Sequence, residues 1–208
     1  LRRALTKPHL RVAGIDDGPF RRRQRYAPLA AVVLSTPDEL EGVRVGRVRV
    51  DGTDATSAIG ALLRATDQWE GVRAVLLDGV AFGGFNVVDL SVLARATGRP
   101  VIALTRRPPR FAEIRAALAK YFPRDRRARW ARLTARPLFR VPTQGEPLWA
   151  ACAGCSRAEA LRVIQKATRR GYWPEPLRYA RLVGRAVGRP VGTRLPGPGR
   201  RRPRAATP

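Results

Sequence analysis

The chain has 208 residues, 44% of them hydrophobic, with 41 Lys and Arg against 16 Asp and Glu for a formal net charge of +25. That length and apolar share fit one globular domain with a real core and exclude a disordered chain. The longest apolar run, Ala27 to Leu34, falls far short of the roughly 20 residues a membrane helix needs, and no apolar segment follows the basic start LRRALTKPHL. The expectation is a cytoplasmic protein without signal peptide or membrane partner. The charge points to nucleic acid as partner, although a GC-rich genome would produce the same Ala, Gly, Pro and Arg bias.

Residues 1–9 form a basic lead-in. LRVAGI, Leu10 to Ile15, reads as a strand broken by Asp16-Asp17-Gly18-Pro19. Tyr26 to Ser35 is a second strand. VRVGRVRV, Val43 to Val50, alternates apolar and basic residues, which predicts a third strand with one solvated face. The turn Thr36-Pro37-Asp38-Glu39 makes the second and third strands a hairpin.

The period then changes. Thr53 to Thr66 is a helix with Ile59, Leu62 and Leu63 on one side and Thr53 or Asp54 as its cap. Arg73 to Leu77 and Pro100 to Leu104 are short continuous apolar strands of the kind buried on both faces of a parallel sheet. Between them Val87 to Thr97 is a helix stopped by Gly98. Pro109 to Phe122 is a helix with Ile114, Leu118 and Phe122 at i, i+4, i+8, and Arg124 to Arg132 is a basic surface stretch. Arg140 to Pro142 and Leu148 to Ala153 are candidate strands. Ser156 to Arg170 is a helix opened by a Ser156–Glu159 capping box and ended by Gly171; Pro176 to Val187 is the last helix. The Pro-, Gly- and Arg-rich residues 189–208 read as a disordered tail. Three strands followed by βα units predict an α/β domain over 10–188: a ribonuclease H-like mixed sheet flanked by helices.

Acids are scarce, so their places carry information. Asp16 and Asp17 end the first strand, Asp51 the third, and Asp78 the fourth, while Asp54 opens the helix between; three of these stand in Asp-Gly pairs. Carboxylates at neighbouring strand ends converge and raise each other's pKa unless a cation lies between them. Mg²⁺, with Mn²⁺ as the alternative ion, suits such a group and phosphodiester hydrolysis. Ordinary turn chemistry also explains any single Asp-Gly. His9 is the only histidine, which excludes a Ser-His-Asp triad and a HExxH zinc site. Neither a GxxxxGK[ST] loop nor a GxGxxG fingerprint is present, so no nucleotide cofactor is expected. Cys152-Ala-Gly-Cys155 is half of a structural zinc site; small residues at a strand end and a redox pair are the other readings.

LRVAGIDDGPF (10–20), VDGTDAT (50–56), LLDGVAFGGFNVVD (76–89) and PEPLRYARL (174–182) together resemble the archaeal DUF99 (UPF0215) family, also called endonuclease dU, over roughly residues 8–188. That family is similar to endonuclease V, whose Gly-Val-Asp strand matches Gly14-Ile15-Asp16. The resemblance implies a Mg²⁺-dependent endonuclease for deaminated, deoxyuridine-type DNA, in DNA repair. The alternatives are an RNA endonuclease of the endonuclease V type and a non-catalytic nucleic-acid-binding protein. Asp16, Asp54 and Asp78 would hold metal, with Asp51 competing for the place of Asp54. Arg106 would stand where endonuclease V has a phosphate-contacting Lys. Asp17 and Glu175 are further candidate acids, and Arg181 replaces a family His. Gly79, Gly83 and Gly84 would let the backbone approach the substrate. Phe82 or Phe85 would stack on a displaced base, with core packing as the other reading, and Arg178 would add phosphate affinity.

Overall fold

Continuous or alternating apolar runs form strands, and apolar residues spaced three to four apart form helices, in a computed structural model that describes residues 1–188; the tail expected over 189–208 lies outside the described residues. A short helix α1 (Arg2–Leu5) precedes an antiparallel meander of β1 (Arg11–Asp17), β2 (Tyr26–Ser35) and β3 (Glu39–Arg49). Then come α2 (Ala55–Arg64), β4 (Ala74–Asp78), a separate hairpin of β5 (Ala81–Phe82) and β6 (Asn86–Val87), α3 (Leu90–Thr97) and β7 (Val101–Thr105). The rest is α4 (Phe111–Tyr121), α5 (Arg126–Thr134), β8 (Phe139–Val141), β9 (Leu148–Ala153), α6 (Arg157–Lys166) and α7 (Glu175–Gly188). The seven-stranded sheet runs β3-β2-β1-β4-β7-β9-β8. β1, β4 and β7 are parallel neighbours, and β9 returns antiparallel to β7. The meander and the βα units stand in the expected order.

Side-chain alternation assigns each strand residue to one of two cores. Ala13, Ile15, Val75, Leu77, Val101 and Ala103 face α2 and α3. Val12, Leu76, Ile102, Leu104 and Ala150 face α6 and α7. β1 is hydrogen-bonded on both sides and covered on both faces, which is why Val12 to Ile15 are fully apolar apart from Gly14. The lead-in is more ordered than its composition predicts: Leu5 and Leu10 are buried in the second core, and the carbonyls of Leu5 and Lys7 accept hydrogen bonds from Arg162 and Lys166 of α6.

Helix α7 lies directly on β1, and glycines make the approach feasible. A Cβ at Gly14 would overlap the backbone and ring of Pro176, and one at Gly18 would overlap the carbonyl of Gly184. The backbone-to-backbone contact fixes the height and rotation of α7 over the ends of β1 and β4.

Arg124 to Arg132, expected as a solvated basic surface stretch, instead contains helix α5, and Arg129 is buried. Its Nη1 donates to the carbonyls of Gly52 and Phe85, its Nη2 to the carbonyl of Asp51 (2.9 Å), and its Nε to Asp125 (2.8 Å). The guanidinium also lies 4.3 Å from the centre of the Phe122 ring. Burial of a guanidinium is tolerated because its donors meet acceptors and a π-face. One side chain thus joins the loop after β3 to the β5–β6 hairpin.

Two stability outcomes follow. Gly14→Ala should destabilise the protein by about 2–3 kcal/mol through overpacking against α7, read as a lower denaturant midpoint with an unchanged slope. Arg129→Met keeps the length of the side chain but strands three carbonyls and Asp125; a loss of about 3 kcal/mol is expected, with faster amide exchange in residues 51–54 and 83–86.

Candidate active site

The parallel register of β1 and β4 pairs Ile15 with Leu77, so Asp16 and Asp78 come next, side by side, where both strands end. Both have the parity of the residues that face α7. Asp17, one step along, turns to the opposite face. Asp16 and Asp78 line an open cavity of about 370 Å³ together with Asp17, Gly18, Pro19, Arg106, Arg181 and Arg185. Arg181 and Arg185 come from α7, and their presence depends on its close packing on β1.

Burial dominates the electrostatics here. Asp16 is pushed from an ordinary 3.8 up to about 8, first by loss of solvent, then by the charges of Asp78 and Asp17; a backbone hydrogen bond from Asp17 and the charge of Arg181 offset part of this. Desolvation also raises Asp78, against the charges of Arg106 and Arg181 and a hydrogen bond shared with Asp16. Asp17 is raised by burial and held back by the Gly83 amide, which donates to its Oδ2 at 2.6 Å. Arg106 Nη1 stands 3.8 Å from Asp78 Oδ2. Its guanidinium is 3.7 Å from the centre of the buried Trp173 ring, which holds it over the cavity. Nothing in the sequence marks Trp173 as the support of Arg106.

The remaining candidates are placed elsewhere. Asp54 sits at the start of α2 but makes no side-chain cap; its Oδ1 accepts from Asn86 Nδ2 (2.6 Å) and the Arg49 amide (3.3 Å), and it does not border the cavity. Asp51 has a left-handed φ of 52°, and its Oδ1 accepts from the Phe85 amide (2.8 Å). With Asp17 on the Gly83 amide, three carboxylates fasten the loop between β5 and β6. Glu175 is buried, pairs with Arg178 at 2.9 Å and accepts from the Arg170 amide, so neither it nor Arg178 reaches the cavity.

Two expectations about the loop need correction. Phe82 has no exposed surface and packs in the first core, so it is not available to stack on a base. Phe85 is half-buried and its ring lies 5.4 Å from that of Phe122. Gly83 and Gly84, both with positive φ, are glycines because a Cβ would meet the Arg49 carbonyl and the Asp51 carboxylate of their own chain. Gly79 differs: its φ is 84° and a Cβ there would meet nothing within 4 Å. It opens onto a mostly apolar pocket of about 230 Å³ lined by Val80, Ala81, Leu104, Ile114 and Leu133 among others.

Among the described residues no three His, Cys, Asp or Glu side chains form a ready ligand cluster. The Asp16–Asp78 pair still fits a small dication, because Mg²⁺ binds proteins through one or two carboxylates and completes its shell with water and phosphate oxygens. The raised Asp16 marks a carboxylate cut off from solvent and crowded by the charges of Asp78 and Asp17. In the metal-free protein the folded state keeps a proton on Asp16 that the unfolded chain loses near 3.8, so this group's contribution to stability falls as pH rises from there to about 8. The thermal midpoint of Asp16→Asn relative to wild type should therefore climb across that window and flatten above it, measured by calorimetry without divalent ions.

The family model described as Endonuclease dU matches residues 8–188. The UPF0215 protein of Methanosarcina barkeri is 35% identical over 182 residues, covering 87% of this chain and 92% of its own. A crystal structure of a protein of unknown function from Archaeoglobus fulgidus matches with a TM-score of 0.77 and 28% identity over 86% of this chain and 98% of that one. Endonuclease V of Ciona intestinalis, solved in complex with a DNA containing an inosine followed by a ribo-adenosine, matches with a TM-score of 0.54 at 18% identity over 85% and 84% of the two chains. The last likeness shows the fold, which is ribonuclease H-like. By its matched residues and its relatives, the chain belongs to the endonuclease dU (UPF0215) family.

Proposed function

We propose that the chain is a nuclease that hydrolyses a phosphodiester bond with the help of Mg²⁺ or Mn²⁺, on DNA carrying a deaminated, deoxyuridine-type base. The observation that carries the reading is the pair of buried Asp16 and half-buried Asp78 facing Arg106 and Arg181 across one open cavity. Asp16, having lost its proton, and Asp78 would hold the ion, which would supply Lewis acidity toward the phosphoryl group and activate a water. Arg106, kept in place by Trp173, holds a phosphate oxygen beside Asp78, and Arg181 and Arg185 add charge to the phosphate track. The open space at Gly79 lets a nucleotide lie against the strand end, and the adjoining apolar pocket is the place for a displaced base. The deoxyuridine reading rests on the family's name, and DNA as substrate draws support from the DNA in the Ciona complex.

The test is a nicking assay with Mg²⁺ on duplexes carrying uracil, hypoxanthine or no lesion, with inosine-containing RNA alongside. Asp16→Asn and Asp78→Asn should each lower cutting by about 10²–10³-fold, the usual effect of removing one charge-stabilising group. Asp54→Asn should leave cutting within about tenfold while costing about 1 kcal/mol of stability through its Asn86 contact. Cutting confined to inosine-RNA would remove the repair reading. Equal behaviour of wild type and Asp78→Asn on every substrate would leave a nucleic-acid-binding protein without catalysis.

A further inference from the structure

Cys152 and Cys155 stand at the corner where β9 turns into α6, on the far side of β7 from the carboxylates. Gly154, with a left-handed φ of 76°, folds the chain back between them. Cys152 Sγ comes within 3.6 Å of the Cys155 carbonyl, so the turn brings the Cys152 thiol back onto Cys155. Both are free and half-exposed, so a small reagent can reach them. Ser156, the next residue, caps α6, which leaves Cys155 immediately outside the positive end of that helix. The positive charge of Arg136 also acts on Cys152. A zinc site is the other use of such a pair, but among the described residues no third His, Cys, Asp or Glu joins it.

We propose that Cys152 and Cys155 are a dithiol site that exchanges with low-molecular-weight disulfides and cycles between the reduced pair and an intrachain Cys152–Cys155 disulfide. Cys152 is the attacking sulfur. The neighbouring Cys155 and the charge of Arg136 lower the Cys152 thiol, to about 7, whereas Cys152 and burial push Cys155 up. Cys152 gives up its proton, and its sulfur attacks one sulfur of the small disulfide. That S–S bond breaks, the departing thiolate takes up the proton, and a mixed disulfide remains on Cys152. Cys155 then loses its proton and attacks Sγ of Cys152. The second small thiolate leaves and is protonated. The protein gives up two electrons and two protons in all, and the small disulfide is reduced to two thiols. None of this involves the carboxylate cavity, so it stands whether or not the chain cuts nucleic acid.

The test uses the full-length reduced protein and oxidised glutathione at pH 7, followed by acid quench, alkylation, intact mass and peptide mapping. Wild type should lose two hydrogens, retain no glutathione and leave neither cysteine open to alkylation. Cys155→Ser should stop at a stable glutathione adduct on Cys152. Cys152→Ser should react about fivefold more slowly, because an ordinary thiol is only a few per cent ionised at this pH. The chain unfolded in guanidinium should lose the difference between the two single variants. A wild type that stays reduced, or that accumulates glutathione without closing the disulfide, overturns the proposal. So does a Cys152→Ser variant that reacts as fast as Cys155→Ser.

Discussion

The contact of α7 with β1 sets the terms for everything at the carboxylate end of the sheet. Helices usually pack on sheets through side chains; here Gly14 and Gly18 on one side and Pro176 and Gly184 on the other bring the two backbones together. A shift of α7 outward would withdraw Arg181 and Arg185 from Asp16 and Asp78 and let water into the space that now raises Asp16. The most distant segments of the described chain are therefore coupled by sterics first and by charge second. The tightness of the fit matters because packed interiors resist small displacements.

The acids divide into two sets with opposite tasks. Asp16 and Asp78 have the parity that points toward α7, with the Asp17 amide on Asp16 and a 3.8 Å approach of Arg106 to Asp78. Asp17, Asp51 and Asp54 are well supplied with donors: Gly83, Phe85, Arg49 and Asn86. The second set gives the hairpin after Asp78 its shape, with Arg129 drawing on the same loop from its carbonyl side. A rigid hairpin beside a desolvated pair is a division that places binding capacity at one point and rigidity at the next.

Much of this was legible in the sequence, for identifiable reasons. The alternation of β3, the apolar runs of β1 and β4 and the Asp-Gly breaks after them mark these strands, and the parallel register of adjacent strands then makes Asp16 and Asp78 neighbours. The capping box of α6 is a local signal and is present. What could not be read depends on contacts distant in the chain. RDRRARWAR looks solvated because a buried Arg129 needs three carbonyls that lie 44 to 78 residues away. AFGGF shows two phenylalanines that look alike, yet hairpin geometry buries one completely and leaves the other beside Phe122. Asp54 reads equally as cap or ligand in the sequence, and in the fold its Oδ1 goes to Asn86 instead of capping α2.

The alternation of VRVGRVRV has a consequence beyond secondary structure. β3 is the outer strand of the sheet, and its Val43 and Val45 are exposed. A long, unpaired edge of this kind is the usual starting point for one chain adding to another in an ever-growing sheet. Arg44 lies between those valines and Arg47 and Arg49 follow them, so a second copy approaching edge to edge would bring its own arginines against them. Like charges on identical copies repel at that edge, and because the force is screened, its strength is set by the salt around the protein as well as by the strand.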